Sequence, residues 1–142
     1  MTAAMILKDK GTTVHKMECN ATLCDAARKL TELGIGAVVV VNEDDALMGV
    51  FSERDIVRAL AEHGPDSLQH AVRDFMSDKV VTCTETDTVS TLSELMTDRR
   101  VRHIPVMRKG ELVGIVSIGD VVKRRLAEKE LETDSLRQYI TT

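Results

Sequence analysis

The chain has 142 residues, 43% hydrophobic and 30% charged, with a formal net charge of −4. That balance belongs to an ordinary globular protein with one good core or two small fused ones, and the acidic excess argues against a general nucleic-acid binder. No apolar run approaches the ~20 residues that a membrane span needs.

In chain order, Met1 to Lys10 lacks the apolar stretch and cleavage site of a signal peptide. A short strand is expected around Val14. A helix follows, with Leu23, Ala26, Ala27, Leu30 and Leu33 on one face and Thr22 as its N-cap. The β-rich run Ala37 to Val41 predicts a strand, and a turn then leads to a second strand from Leu47 to Phe51. A second helix begins at Ser52. Gly64-Pro65 ends this unit, and His63 to Ala71 reads as a connector. The pattern then recurs: a strand at Val80-Val81, a helix capped by Thr88 with the stripe Val89, Leu92 and Met96, strands Ile104 to Met107 and Leu112 to Val116, and a helix from Ser117. Ala127 to Thr142 is charged as far as Asp134 and then carries Leu136, Tyr139 and Ile140. It reads equally as a frayed extension or as a packed dimer element.

The recurrence is a sequence repeat. Residues 46–57 align with 111–122 at an offset of 65, and upstream segments align at an offset of 66. The one-residue difference falls in turn composition, Asn42 to Ala46 against Arg108 to Gly110. Apolar strands flanked by amphipathic helices imply an α/β fold, a sheet covered by helices, in two units that pack on each other. Expected boundaries are 12–66 and 74–130, with 131–142 as a charged C-terminal extension. The odd, unpaired cysteines Cys19, Cys24 and Cys83 suit a reduced, cytoplasmic protein, and with His15 they lack zinc-site spacing, so no metal is expected.

The chemistry lies in the repeated junction from strand to helix, Gly49-Val50-Phe51-Ser52-Glu53-Arg54-Asp55 and Gly114-Ile115-Val116-Ser117-Ile118-Gly119-Asp120. A serine hydroxyl and free first-turn N–H groups at a helix N-terminus can hold an anion. An ionised aspartate one turn on is acceptor-only and suits a ribose diol. The same Ser-x-x-Asp spacing also makes a capping box. Spacing alone does not choose between the two. Arg99-Arg100-Val101-Arg102-His103 concentrates positive charge; Arg99 and Arg100 read as a solvated edge, whereas Arg102 and His103 stand where a strand begins and can steady a phosphate. Arg54 is a second candidate, or a surface arginine.

Together with Arg102-His103-Ile104-Pro105-Val106 and Val72-Arg73-Asp74-Phe75-Met76, these motifs resemble the stand-alone tandem CBS-domain proteins, named for the regulatory domain of cystathionine β-synthase. The resemblance runs from Val14 to Leu126. It implies two β-α-β-β-α repeats about a pseudo-twofold axis, with two clefts for adenosine-containing ligands such as AMP, ADP, ATP, NAD or S-adenosylmethionine. It also implies phosphate contact by Ser52 and Ser117, and ribose contact by Asp55 and Asp120. The base would lie against Val81, Thr82, Val101 and His103 in the Ser52 cleft, with Arg102 and Pro105 beside them, and against Ile35, Gly36 and Ala37 in the Ser117 cleft. With Arg54 and Arg102-His103 on one side and little positive charge around Ser117, the Ser52 cleft is expected to bind a phosphorylated ligand more tightly. A homodimer formed through the helices is implied as well.

The resulting expectation is a regulatory, non-enzymatic module that binds an adenine nucleotide, AMP first and NAD or ATP next, and signals to a protein target. The competing expectation is a ligand-free dimeric interaction module. An enzyme has no supporting nucleophile–base pair, since His15, His63, His70 and His103 lie in unrelated segments. Neither a membrane nor a nucleic acid is an expected partner.

Overall fold

A computed structural model describes the backbone of residues 1–141 and the side chains through Gln138. Five α-helices and six strands occur among these residues, in the order α1 (Ala3–Lys10), β1 (Lys16–Glu18), α2 (Leu23–Leu33), β2 (Ala37–Val41), β3 (Leu47–Ser52), α3 (Glu53–His63), β4 (Cys83–Thr84), α4 (Val89–Arg99), β5 (His103–Arg108), β6 (Glu111–Ser117) and α5 (Ile118–Thr141). Each repeat contributes one three-stranded sheet, β1-β2-β3 or β4-β5-β6. The outer pair β1–β2 or β4–β5 is parallel, and the hairpin pair β2–β3 or β5–β6 is antiparallel. The α/β class read from the sequence holds.

The chain divides into two compact units, Thr13–Val80 and Met1–Thr12 with Val81–Thr142. In the first, Leu23, Ala26 and Leu30 of α2 bury against Val38, Val40 and Phe51 of the sheet and Ala59 of α3. Thr22 caps α2 through a hydroxyl that accepts the Asp25 amide at 3.1 Å, and Gly34 ends it in the left-handed region. Leu33, the last residue of the expected stripe, is exposed. In the second unit Val89, Leu92 and Met96 of α4 bury against Ile104, Val106 and Val116, and Thr88 accepts the Thr91 amide at 3.1 Å.

Two expected strands lie further along the chain. The first is at Lys16–Glu18 rather than Val14, and its equivalent at Cys83–Thr84 rather than Val80-Val81. Parallel pairing decides this. The registers Met17↔Val40 and Cys83↔Val106 bury Met17 and Cys83, whereas Val14 and Val80 stay half-buried ahead of the sheet. The duplication is otherwise close in geometry. Both hairpins carry a bulge at the same place, after Val40 and after Val106. The one-residue difference sits in their turns. Asn42 Oδ1 accepts the amides of Asp44 and Ala46 in one, and Lys109-Gly110, both at positive φ, close the other.

Sequence repeat and compact unit are different stretches of chain. Val72 and Phe75, which open the second repeat, are core residues of the first unit. Helix α1 buries Ala3, Ile6 and Leu7 in the second. The repeated glycines explain these additions. A Cβ on Gly49 would stand 2.5 Å from the Ser77 carbonyl, and one on Gly114 2.5 Å from Leu7 Cδ2. Each glycine lets a covering segment lie directly on the sheet. The tail continues α5, and its side chains from Ala127 to Gln138 are exposed; Tyr139 and Ile140 lie outside the described side chains.

Candidate functional site

The two strand-to-helix junctions are built alike. Strand β3 ends at Ser52, which is extended (φ −122°, ψ 166°) and caps α3. The Asp55 carboxylate turns back, and its Oδ2 accepts the Ser52 amide at 2.8 Å and the Ser52 hydroxyl at 3.3 Å. At the end of β6, Asp120 Oδ2 accepts the Ser117 amide at 2.8 Å, and the Ser117 hydroxyl accepts the Asp120 amide at 3.2 Å. The capping-box alternative is therefore present in both repeats. It does not compete with a ligand role, because a cap hydroxyl and a carboxylate at a helix start, Asp55 buried and Asp120 half-buried, are also what a ribose-phosphate would use. The first helical amide is already engaged at each junction: Glu53 donates to Gly36 at 3.0 Å and Ile118 to Arg102 at 2.8 Å.

Each aspartate also faces a cation. Arg58, one turn further along α3, pairs with Asp55 Oδ1 at 3.2 Å and donates to the Phe75 carbonyl at 2.9 Å. Lys10, the last residue of α1, pairs with Asp120 Oδ2 at 2.7 Å and donates to the Ile115 carbonyl at 3.0 Å. Burial alone would push the Asp120 carboxyl up, but the Lys10 ammonium and the Ser117 bonds outweigh it and hold the group below its ordinary value. The expectation of little positive charge around Ser117 is thus corrected. The cation comes from 110 residues away, where no local pattern pointed to it. Arg58 had a legible signal, the i+3 spacing from Asp55.

The other sequence-derived candidates take the following places. Arg54 is exposed in the first turn of α3. Ile35, Gly36 and Ala37 are half-buried where β2 begins in the unit that holds Ser52. Val81 and Thr82 lead into β4 of the other unit; Val101 packs on its core, Arg102 is exposed and Pro105 is fully buried. His103, half-buried, is the cross-strand partner of Ser117, whereas Ser52 faces Ala37. Opposed residues share a sheet face, so within its own unit His103 belongs beside the Ser117 junction. Among the described residues no group of three or more His, Cys, Asp or Glu could hold a metal, and no helix is long and apolar enough to cross a membrane.

Comparison with known proteins agrees with this architecture. A CBS domain-containing mitochondrial protein of Arabidopsis thaliana is 37% identical over 147 residues, covering 98% of this chain and 71% of its own length. The crystal structure of a CBS-domain-containing protein of Agrobacterium tumefaciens superposes with a TM-score of 0.85 at 43% identity, covering 87% of this chain and 92% of that one. A CBS domain protein of Pyrobaculum aerophilum, complexed with AMP, gives a TM-score of 0.79 at 29% identity over 94% and 99% of the two chains. The family model for the CBS domain matches twice, at residues 14–62 and 72–127. On the duplicated fold, the duplicated junction and these matches, the chain belongs to the CBS-domain family as a CBS domain pair.

Proposed function

We propose that this CBS pair is a non-enzymatic regulatory module that binds an adenine nucleotide, AMP first and NAD or ATP next, and passes its presence to a protein partner in the cytoplasm. The observation that carries the reading is the junction itself. Twice, an acceptor-only carboxylate folds back on a serine cap at a helix N-terminus with a cation beside it. In the bound form the ribose hydroxyls donate to Asp55 or Asp120, and the phosphate takes the serine hydroxyl and the second amide of the helix, that of Arg54 or Gly119. Ile35, Gly36 and Ala37 of one unit, and Val81, Thr82, Val101, Arg102 and His103 of the other, are the base-recognising residues in this reading, and Pro105 is buried in the strand that His103 begins. The AMP complex of the Pyrobaculum aerophilum relative supports the ligand class.

Thermal melts with AMP, ADP, ATP, NAD and S-adenosylmethionine test it. A true ligand at a hundredfold excess over its Kd should stabilise the fold by about 2.7 kcal/mol. In calorimetric titrations Asp55→Ala and Asp120→Ala should each weaken binding at their own junction by about tenfold or more. A chain indifferent to all five compounds would leave the second reading, a dimer acting through its surface. That reading is favoured by exposed apolar side chains at equivalent positions, Val57 on α3 and Val122 on α5, and by a groove of about 260 Å3 between α4 and α5 that Val122 and Leu126 line. Sedimentation of the Val57→Lys and Val122→Lys variants would then give a monomer where the unmodified chain is a homodimer.

A further inference from the structure

We propose that Lys10 gates the Ser117–Asp120 junction, resisting unphosphorylated nucleosides and admitting phosphorylated ones. The inference rests on reading that junction as a ribose-phosphate site. The Lys10 ammonium donates to Asp120 Oδ2 at 2.7 Å, and the same oxygen accepts the Ser117 amide at 2.8 Å. A ribose diol that approaches Asp120 therefore meets a carboxylate already held by a cation. A neutral nucleoside has to displace a charge-assisted bond and offers only uncharged hydroxyl donors in return. A phosphorylated one brings its own acceptor for the displaced ammonium.

Geometry allows that exchange without moving the helix. Ser117 caps α5, so the partial positive charge of the helix N-terminus favours a phosphate there. Lys10 and Ser117 bond the same oxygen, so only a few ångströms separate the ammonium from the cap. The lysine side chain is 32% exposed and swings on a flexible four-carbon stem. Helix α1 meanwhile stays anchored by buried Ala3, Ile6 and Leu7 and by the Arg124–Asp9 ion pair. The first repeat mounts its cation differently. Arg58 sits on the same helix as Asp55 and donates to the Phe75 carbonyl. Lys10 instead comes from a separate helix, α1, and has one further bond to give up, to the Ile115 carbonyl at 3.0 Å.

The test is calorimetric titration of the full chain with adenosine and with AMP, in an Asp55→Ala background that leaves the Ser117 junction to be read. With Lys10 present, AMP should bind about tenfold or more tighter than adenosine. Lys10→Met should strengthen adenosine and weaken AMP, bringing that ratio to about threefold or less. Lys10→Arg should restore most of the preference, and Lys8→Met, an exposed neighbour on α1, should leave it intact. Thermal melts confirm folding, and Lys10→Gln gives the same readout if the methionine variant melts early. Equal changes in both affinities, no change in either, or no binding to the Asp55→Ala, Lys10→Met double variant would overturn the gate. Failure of the underlying reading is distinct, because the unmodified chain would then bind no adenine-containing ligand at all.

Discussion

Gly34 and Arg100 occupy the same place in the two repeats, the left-handed residue that ends α2 or α4. Glycine takes that conformation freely, while an arginine at φ 53° crowds its Cβ against the backbone. Arg100→Gly should therefore raise stability by about 0.5–1 kcal/mol in urea denaturation. Asp120 sets a pH dependence. Its folded value lies below the ordinary 3.8, so the unfolded chain binds the proton more readily. The stabilisation is fully present above about pH 4 and fades as pH falls through the folded value. The stability gap between the unmodified chain and Asp120→Asn should narrow across that acid range and stay constant from pH 5 to 8. Cys83 behaves oppositely. Burial, with Asp87 adding to it, pushes its thiol up to about 12, which makes it an inert core residue and not a nucleophile.

The two hairpins answer the same design with different partners. Gly49 lies under a backbone carbonyl, that of Ser77, and the Val50 and Ser77 amides and carbonyls bond reciprocally at 3.2 and 3.0 Å. Gly114 lies under the end of the Leu7 side chain. A side chain can rotate away, but a bonded backbone cannot. Gly49→Ala should accordingly cost about 2–3 kcal/mol and Gly114→Ala about 1 kcal/mol, as read from paired denaturation curves. Equal losses would mean that α1 is held as rigidly as the 72–77 segment. Continuous helix also replaces the frayed tail that the sequence allowed, since α5 runs through Thr141.

At the scale of the whole molecule, each unit is completed by a segment from outside its own repeat. Removing residues 1–10 takes Ile6 and Leu7 from the core, together with the bonds from Ala3 and Ala4 to the Asp87 and Glu85 carbonyls. That truncation should cost about 3 kcal/mol or more. Amide exchange should rise in β5 and β6, while β2 and β3 keep their protection.

The repeat, the α/β class, the helix caps at Thr22 and Thr88 and the paired Ser-x-x-Asp junctions were legible in the sequence alone. The elements, caps and junctions rest on residues a few positions apart, where periodicity, capping and turn chemistry are written locally, and the repeat is that local pattern met a second time 65 or 66 residues on. The starts of β1 and β4 were misplaced by a few residues because parallel pairing draws its register from β2 and β5, distant strands. The cation at Asp120 and the segment covering each glycine depended on tertiary structure altogether. Charge and close packing act through space, so Lys10 reaches Asp120 across 110 residues of chain that carry no trace of the meeting.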